Sequence, residues 1–147
     1  MKKRLAWILW ICWLIIIFYL SHQSGEVSGG TSSNLIYNTL EFVMPIFKIN
    51  INIVDIVSFI HNPLREVMHI IEYFILALLT FNLLKQYNNN KKIFITISFC
   101  FIYAVFDEIH QLFIVGRTLE YIDIFMDIVG TIIGCILYQI IKTRNKL

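Results

Sequence analysis

The stretch Arg65-Glu66-Val67-Met68-His69-Ile70-Ile71-Glu72-Tyr73-Phe74-Ile75-Leu76-Ala77-Leu78-Leu79-Thr80-Phe81-Asn82-Leu83-Leu84 decides the class of this chain. Its apolar run, 67–84, comes near the roughly 20 residues that a helix rising about 1.5 Å per residue needs to cross about 30 Å of hydrocarbon. The first turns nevertheless carry Arg65, Glu66, His69 and Glu72. Ionisable side chains in hydrocarbon are costly unless they are paired or face a watery space, so this mixture points to a membrane span with a functional site at one end.

Three further apolar runs, 5–20, 93–115 and 121–141, have comparable length. The 147 residues are 58% hydrophobic and only 15% charged, with a mean hydropathy of +0.71. An ordinary soluble domain is excluded by that balance. The expectation is an all-α integral membrane protein: a four-helix transmembrane bundle forming a single domain over 1–147. Lys2-Lys3-Arg4 before the first run resembles the start of a signal peptide, but no small-x-small cleavage site follows the run, so an uncleaved helix is expected.

Basic residues orient the chain. Lys2, Lys3, Arg4, Lys85, Lys91, Lys92, Lys142, Arg144 and Lys146 fall at the termini or in the turn 85–92, against Lys48, Arg65 and Arg117 on the other side. A multi-pass cell-membrane protein with both termini cytoplasmic is the expected arrangement. All ten acids and all four histidines lie in or beside the opposite, outer side, several of them within the apolar runs: Glu66, His69, Glu72, Asp107, Glu108, His110, Asp123 and Asp127. Three helices thereby bring polar groups to one depth, while the inner halves of the spans lack the ionisable residues that a proton or ion relay would need.

The outer loop, 21–64, opens with turn-rich Ser21-His22-Gln23-Ser24-Gly25 and Ser28-Gly29-Gly30-Thr31-Ser32-Ser33. From Leu35 the apolar positions Leu35-Ile36, Leu40, Val43-Met44 and Phe47 recur at helical spacing around Asn34, Asn38 and Glu41, as in an interfacial amphipathic helix. A second interfacial piece is expected over 49–60, ended by Pro63. These pieces either cap the bundle or grip a lipid. Cys12, Cys100 and Cys135 all lie in apolar runs without metal-site or disulfide spacing, and read as buried thiols. No glycine-rich phosphate loop or nucleic-acid signature is present, and no cofactor is expected.

Helical spacing sharpens the polar set. Arg65, His69 and Tyr73 are four residues apart and Glu66, His69 and Glu72 three apart, which makes His69 the centre of that face. Asp107 and Glu108 both reach the face of Gln111, and Asp123 and Asp127 repeat the four-residue spacing on the last helix. Gly130 and Gly134 follow as a GxxxG pair suited to close helix packing.

Ser21-His22-Gln23-Ser24-Gly25, Arg65 to Tyr73, Asp107-Glu108-Ile109-His110-Gln111-Leu112-Phe113 with Gly116-Arg117, and Asp123 with Asp127-Ile128-Val129-Gly130 and Gly134 together resemble the signature blocks of the VanZ-like membrane proteins. The specific part is the succession Glu-x-x-Gln, Gly-Arg, Asp-x-x-x-Asp-x-x-Gly. Glu66 stands where the pattern usually has lysine, and Arg65 one residue earlier can supply a cation. The resemblance implies a cell-envelope role and an association with teicoplanin resistance, without implying a known reaction.

The candidate polar cavity therefore comprises Gln23, Arg65, Glu66, His69, Glu72, Tyr73, Asp107, Glu108, Gln111, Arg117, Asp123 and Asp127. One reading is a binding protein for an amphipathic ligand, either a lipid-linked wall precursor or a lipoglycopeptide, with Arg65 and Arg117 meeting its anionic groups. Another is an intramembrane enzyme, with Glu108 or His69 as general base or with His69, Glu72, Asp107 and Glu108 around a divalent metal. The third is a set of structural ion pairs in which Arg65 and Arg117 clamp Asp123, Asp127 or Glu108.

Overall fold

Residues 2–46, 52–85, 87 and 91–144 are described by the computed structural model. They form α1 (Lys2–Ser21), α2 (Gly25–Val43), α3 (Ile53–Leu84), α4 (Lys92–Gln111) and α5 (Tyr121–Arg144), with no strand among them. Within these helices Lys3–Ser21, Pro63–Leu84, Lys92–Gln111 and Tyr121–Ile141 are long and apolar enough to cross a membrane. Large apolar side chains such as Ile8, Ile15, Phe101, Ile102, Ile133 and Ile136 point away from the bundle. A soluble fold would bury them, whereas hydrocarbon is a good solvent for them. The molecule is a helical membrane bundle.

Helix α3 is the central element, touching α1, α2, α4 and α5. Its closest neighbour is α5, and the reason lies in two glycines. A Cβ on Gly130 would collide with the backbone carbonyl oxygen of Ile70 and lie 2.9 Å from that carbonyl's carbon. At Gly134 it would lie 2.9 Å from both the Ala77 Cβ and the Phe74 carbonyl oxygen. Small residues let the two backbones approach, and dispersion across that contact holds the pair where water provides no hydrophobic drive.

The core behind this contact consists of Ile17, Tyr73, Leu76, Ala77, Cys100 and Ala104. Polar handles on aromatic rings tie α1 across it. Trp10 Nε1 donates to Thr80 Oγ1 at 3.0 Å, Trp13 Nε1 to the Glu72 carbonyl at 3.0 Å, and Tyr103 Oη to the Leu14 carbonyl at 2.8 Å. Each ring fills apolar space and satisfies its one polar hydrogen. Cys100 and Cys135 are buried, while Cys12 lies exposed on α1.

Three local features differ from the sequence expectation. Pro63 does not end an interfacial piece: it lies inside α3, which runs unbroken from Ile53 into the span. The carbonyl deprived of its helical donor there belongs to Phe59. The glycine- and serine-rich stretch after Ser28 is helical in α2, because packing against α3 outweighs weak propensities of less than about 1 kcal/mol each. Finally, α4 stops at Gln111, although the apolar run continues to Val115. Successive turns bond Phe113 N to His110 O, Ile114 N to Gln111 O and Arg117 N to Ile114 O. Gly116, at φ 77°, takes the left-handed conformation that brings Arg117 back over the bundle. Part of the expected interfacial pattern, 47–51, lies outside the described residues.

Candidate functional site

One end of the bundle collects the C-terminal ends of α1 and α4, the start of the span in α3, the α4–α5 connection and the first turns of α5. Two linked networks occupy it.

The first joins α3 to α5. Arg65 pairs with Glu120, and its Nη2 also donates to Asp123 Oδ2 at 3.0 Å and Oδ1 at 3.2 Å. One turn deeper, His69 Nδ1 lies 3.0 Å from Asp127 Oδ1, and its Nε2 lies 3.5 Å from Asp123 Oδ2. The four-residue spacings on both helices make this ladder possible, since they stack Arg65 over His69 and Asp123 over Asp127. Thr131 closes the ladder below by donating to the Asp127 carbonyl at 2.9 Å.

The second joins α1, α4 and the connection. Ser21 Oγ donates to Asp107 Oδ2 at 2.6 Å, and Gln111 Nε2 donates to the same oxygen at 3.1 Å. Arg117 donates through Nη1 to Gln111 Oε1 at 3.5 Å and through Nε to the Gln23 carbonyl at 3.2 Å. Glu108 Oε2 accepts from the backbone N–H of Glu120 at 3.0 Å, which fixes one of its oxygens against the connection. Next to Ser21, His22 Nδ1 stands 3.1 Å from His110 Nε2, and both rings stack with Phe18.

Several buried polar atoms here have no hydrogen-bond partner among the described residues: Tyr73 Oη, Asp107 Oδ1, Glu108 Oε1 and Asp127 Oδ2. Tyr73 and Glu108 are wholly buried and Asp127 and Asp107 nearly so, at 1% and 2% exposed. Unpartnered buried carboxylate oxygens are uncommon and expensive, and none of the described residues supplies these with a hydrogen-bond donor. These groups interact electrostatically as one set: Tyr73 with Asp127 and Asp107, and Glu108 with His69 and Asp107.

Nearly all of the sequence-predicted set lies at this end, in differing roles. Gln23 contributes its backbone carbonyl. Glu72 is half-buried and interacts electrostatically with His69 and Arg117 without a side-chain hydrogen bond among the described residues. Glu66 is half-exposed and joins neither network among the described residues. Among the described residues no three His, Cys, Asp or Glu side chains are grouped so as to hold a metal ion, and His69, Glu72, Asp107 and Glu108 do not form such a site. Sequence reasoning missed Ser21 and Glu120 as participants. Ser21 closes the first apolar run, and Glu120 sits three residues before Asp123. Both signals were visible, but neither names a partner on another helix.

A family model described as VanZ/LLP1 matches residues 6–142, which include both networks and, but for the first three residues of Lys3–Ser21, all four spans. The chain belongs to the VanZ/LLP1 family. No curated protein and no solved structure matches it. As a VanZ/LLP1 member it is a multi-pass membrane protein.

Proposed function

We propose that this VanZ/LLP1 protein works in the cell envelope, holding the polar part of an amphipathic or lipid-linked molecule at the networked end of its bundle. The observation that supports the reading is that buried oxygens of Tyr73, Asp107, Glu108 and Asp127 have no hydrogen-bond partner among the described residues. A bundle whose polar residues served only to clamp helices would satisfy them internally. Arg65 is already held by two carboxylates, which leaves Arg117, whose two bonds go to neutral acceptors, as the cation for an anionic group of the ligand.

In this reading both termini are cytoplasmic and the site faces the outer leaflet, where a lipid-linked wall precursor or a lipoglycopeptide would reach it. Teicoplanin carries a fatty acyl chain that vancomycin lacks, and burial of such a chain favours the leaflet by about 0.8 kcal/mol per methylene. Expression in a susceptible Gram-positive host is expected to lower susceptibility to teicoplanin more than to vancomycin. Glu108→Gln or His69→Ala should abolish that difference. Equal protection against both drugs, or no protection from well-expressed protein, would remove the drug from the reading.

A second reading, an intramembrane enzyme acting on a lipid-linked envelope substrate, draws on Glu108. One of its oxygens is anchored by the Glu120 N–H while the other is free, as a general acid or base requires. Assaying purified protein on lipid-linked phosphates, with and without divalent metal, tests it: turnover lost in Glu108→Gln would support catalysis, and an absence of turnover would reject it.

A further inference from the structure

We propose that the networked end receives a primary ammonium group standing next to an anion, the chemistry of an amino-phospholipid head group. This deepens the amphipathic-ligand reading and rests on it.

The argument begins with donors and acceptors. The unpartnered atoms of Asp107, Glu108 and Asp127 are carboxylate oxygens, which only accept when ionised. Two of the local cations are already committed, Arg65 to Glu120 and Asp123 and His69 to Asp127 and Asp123, while Arg117 donates to Gln111 and to the Gln23 carbonyl. The oxygens themselves are therefore short of donors, and the carboxylates of Glu72, Asp107, Glu108, Glu120, Asp123 and Asp127 outnumber Arg65, His69 and Arg117. Tyr73 provides an independent indication, since it is not a carboxylate, is wholly buried, leaves its hydroxyl without a partner among the described residues and interacts electrostatically with Asp127 and Asp107.

The missing group can be characterised from these needs. Sugar hydroxyls or water would bring donors without charge, and would leave the carboxylates uncompensated wherever these groups are ionised. A quaternary ammonium would bring charge without N–H donors. Metal ions lack a grouped donor set among the described residues. A primary ammonium brings a positive charge and three donors in one compact group.

The neighbouring anion follows from Arg117. One glutamine side chain, Gln111, bridges Arg117 Nη1 at 3.5 Å and Asp107 Oδ2 at 3.1 Å, so a cation and a carboxylate lie one amide apart. That alternation complements a zwitterion: phosphate toward Arg117, ammonium toward Asp107, Glu108 and Tyr73. The same chemistry exists in a lipid head group and in a soluble phosphoamine.

Calorimetric titration of the purified full chain in maltoside micelles can separate these cases. The probes are dihexanoylphosphatidylethanolamine, its choline and glycerol counterparts, and free phosphoethanolamine. The ethanolamine lipid is expected to bind about tenfold more tightly than the choline lipid, equivalent to about 1.4 kcal/mol, and also more tightly than the glycerol lipid. Glu108→Gln and Tyr73→Phe should erase that preference, Arg117→Gln should weaken all three lipids, and the exposed Glu41→Gln should change nothing. Free phosphoethanolamine binding as tightly as the lipid would support the same chemistry with a soluble source. Equal affinity for the three lipids would overturn the ammonium site while leaving an amphipath-binding protein. No binding of any probe would overturn both. Should Glu108→Gln fail to fold, the ranking of the lipids by the unaltered protein decides.

Discussion

His69 Nδ1 and Asp127 Oδ1 stand 3.0 Å apart, joining α3 to α5 beside the place where Gly130 meets the Ile70 carbonyl. A buried polar contact and a close backbone contact therefore share one helix pair. Each constrains the other: the glycine sets how near the helices come, and that nearness sets whether the histidine can reach the aspartate.

Gly130→Ala is expected to separate α3 and α5 and to destabilise the protein by about 1–3 kcal/mol, because the clashing atom is backbone and cannot rotate away. Gly30→Ala is its contrast. Nothing lies within 4 Å of a Cβ there, so the change should be neutral or stabilising by about 0.5–1 kcal/mol through helix propensity. Denaturation midpoints in detergent would rank the two variants, and equal losses would show that the glycine contact is not limiting.

The two arginines should behave differently. Arg65→Gln leaves Asp123 with His69 alone, at 3.5 Å, and should lower the amount of folded protein, by less than the about 3–5 kcal/mol of a fully buried pair because Arg65 is part-exposed. Arg117→Gln breaks hydrogen bonds to neutral acceptors and a longer-range attraction to Glu72 but no ion pair, so expression should be kept while ligand-dependent function is lost. Fluorescence-detected size exclusion combined with the teicoplanin assay checks both. Normal levels of Arg65→Gln would contradict the assigned clamp.

Tyr103→Phe removes one hydrogen bond between α1 and the rest of the bundle with little change of volume, whereas Trp10→Phe removes one and also trims the indole packed on the core, so its loss is the larger. The hydrogen bond accounts for a loss of about 0.5–1.5 kcal/mol in each, larger if the Leu14 carbonyl finds no other donor. Thermal melts of the single and double variants would show additive losses if α1 is held by independent ties.

Topology is tested by single cysteines in a background lacking Cys12, Cys100 and Cys135. Asn34→Cys in α2 should react with a membrane-impermeant maleimide on intact cells, and Tyr87→Cys only after permeabilisation; both positions are exposed. The reverse pattern would place the polar site on the cytoplasmic side.

Hydropathy alone determined that this chain spans a membrane with four helices, because an apolar run of that length has no other stable environment. The placement of ionisable residues at one end of those runs was equally legible, as was the face shared by Arg65 and His69, since helical periodicity is a local property. Tertiary structure decided the partners. Arg65 and Asp123, Ser21 and Asp107, and Arg117 and Gln23 lie far apart in the chain, and their meeting depends on how each helix is rotated and shifted against its neighbour. The same packing carried α3 through Pro63 and kept the glycine-rich start of α2 helical, against local preference. It also determined which acids are neutralised and which oxygens remain unpartnered, a distinction that requires contacts between helices and that residue spacing within one helix does not contain.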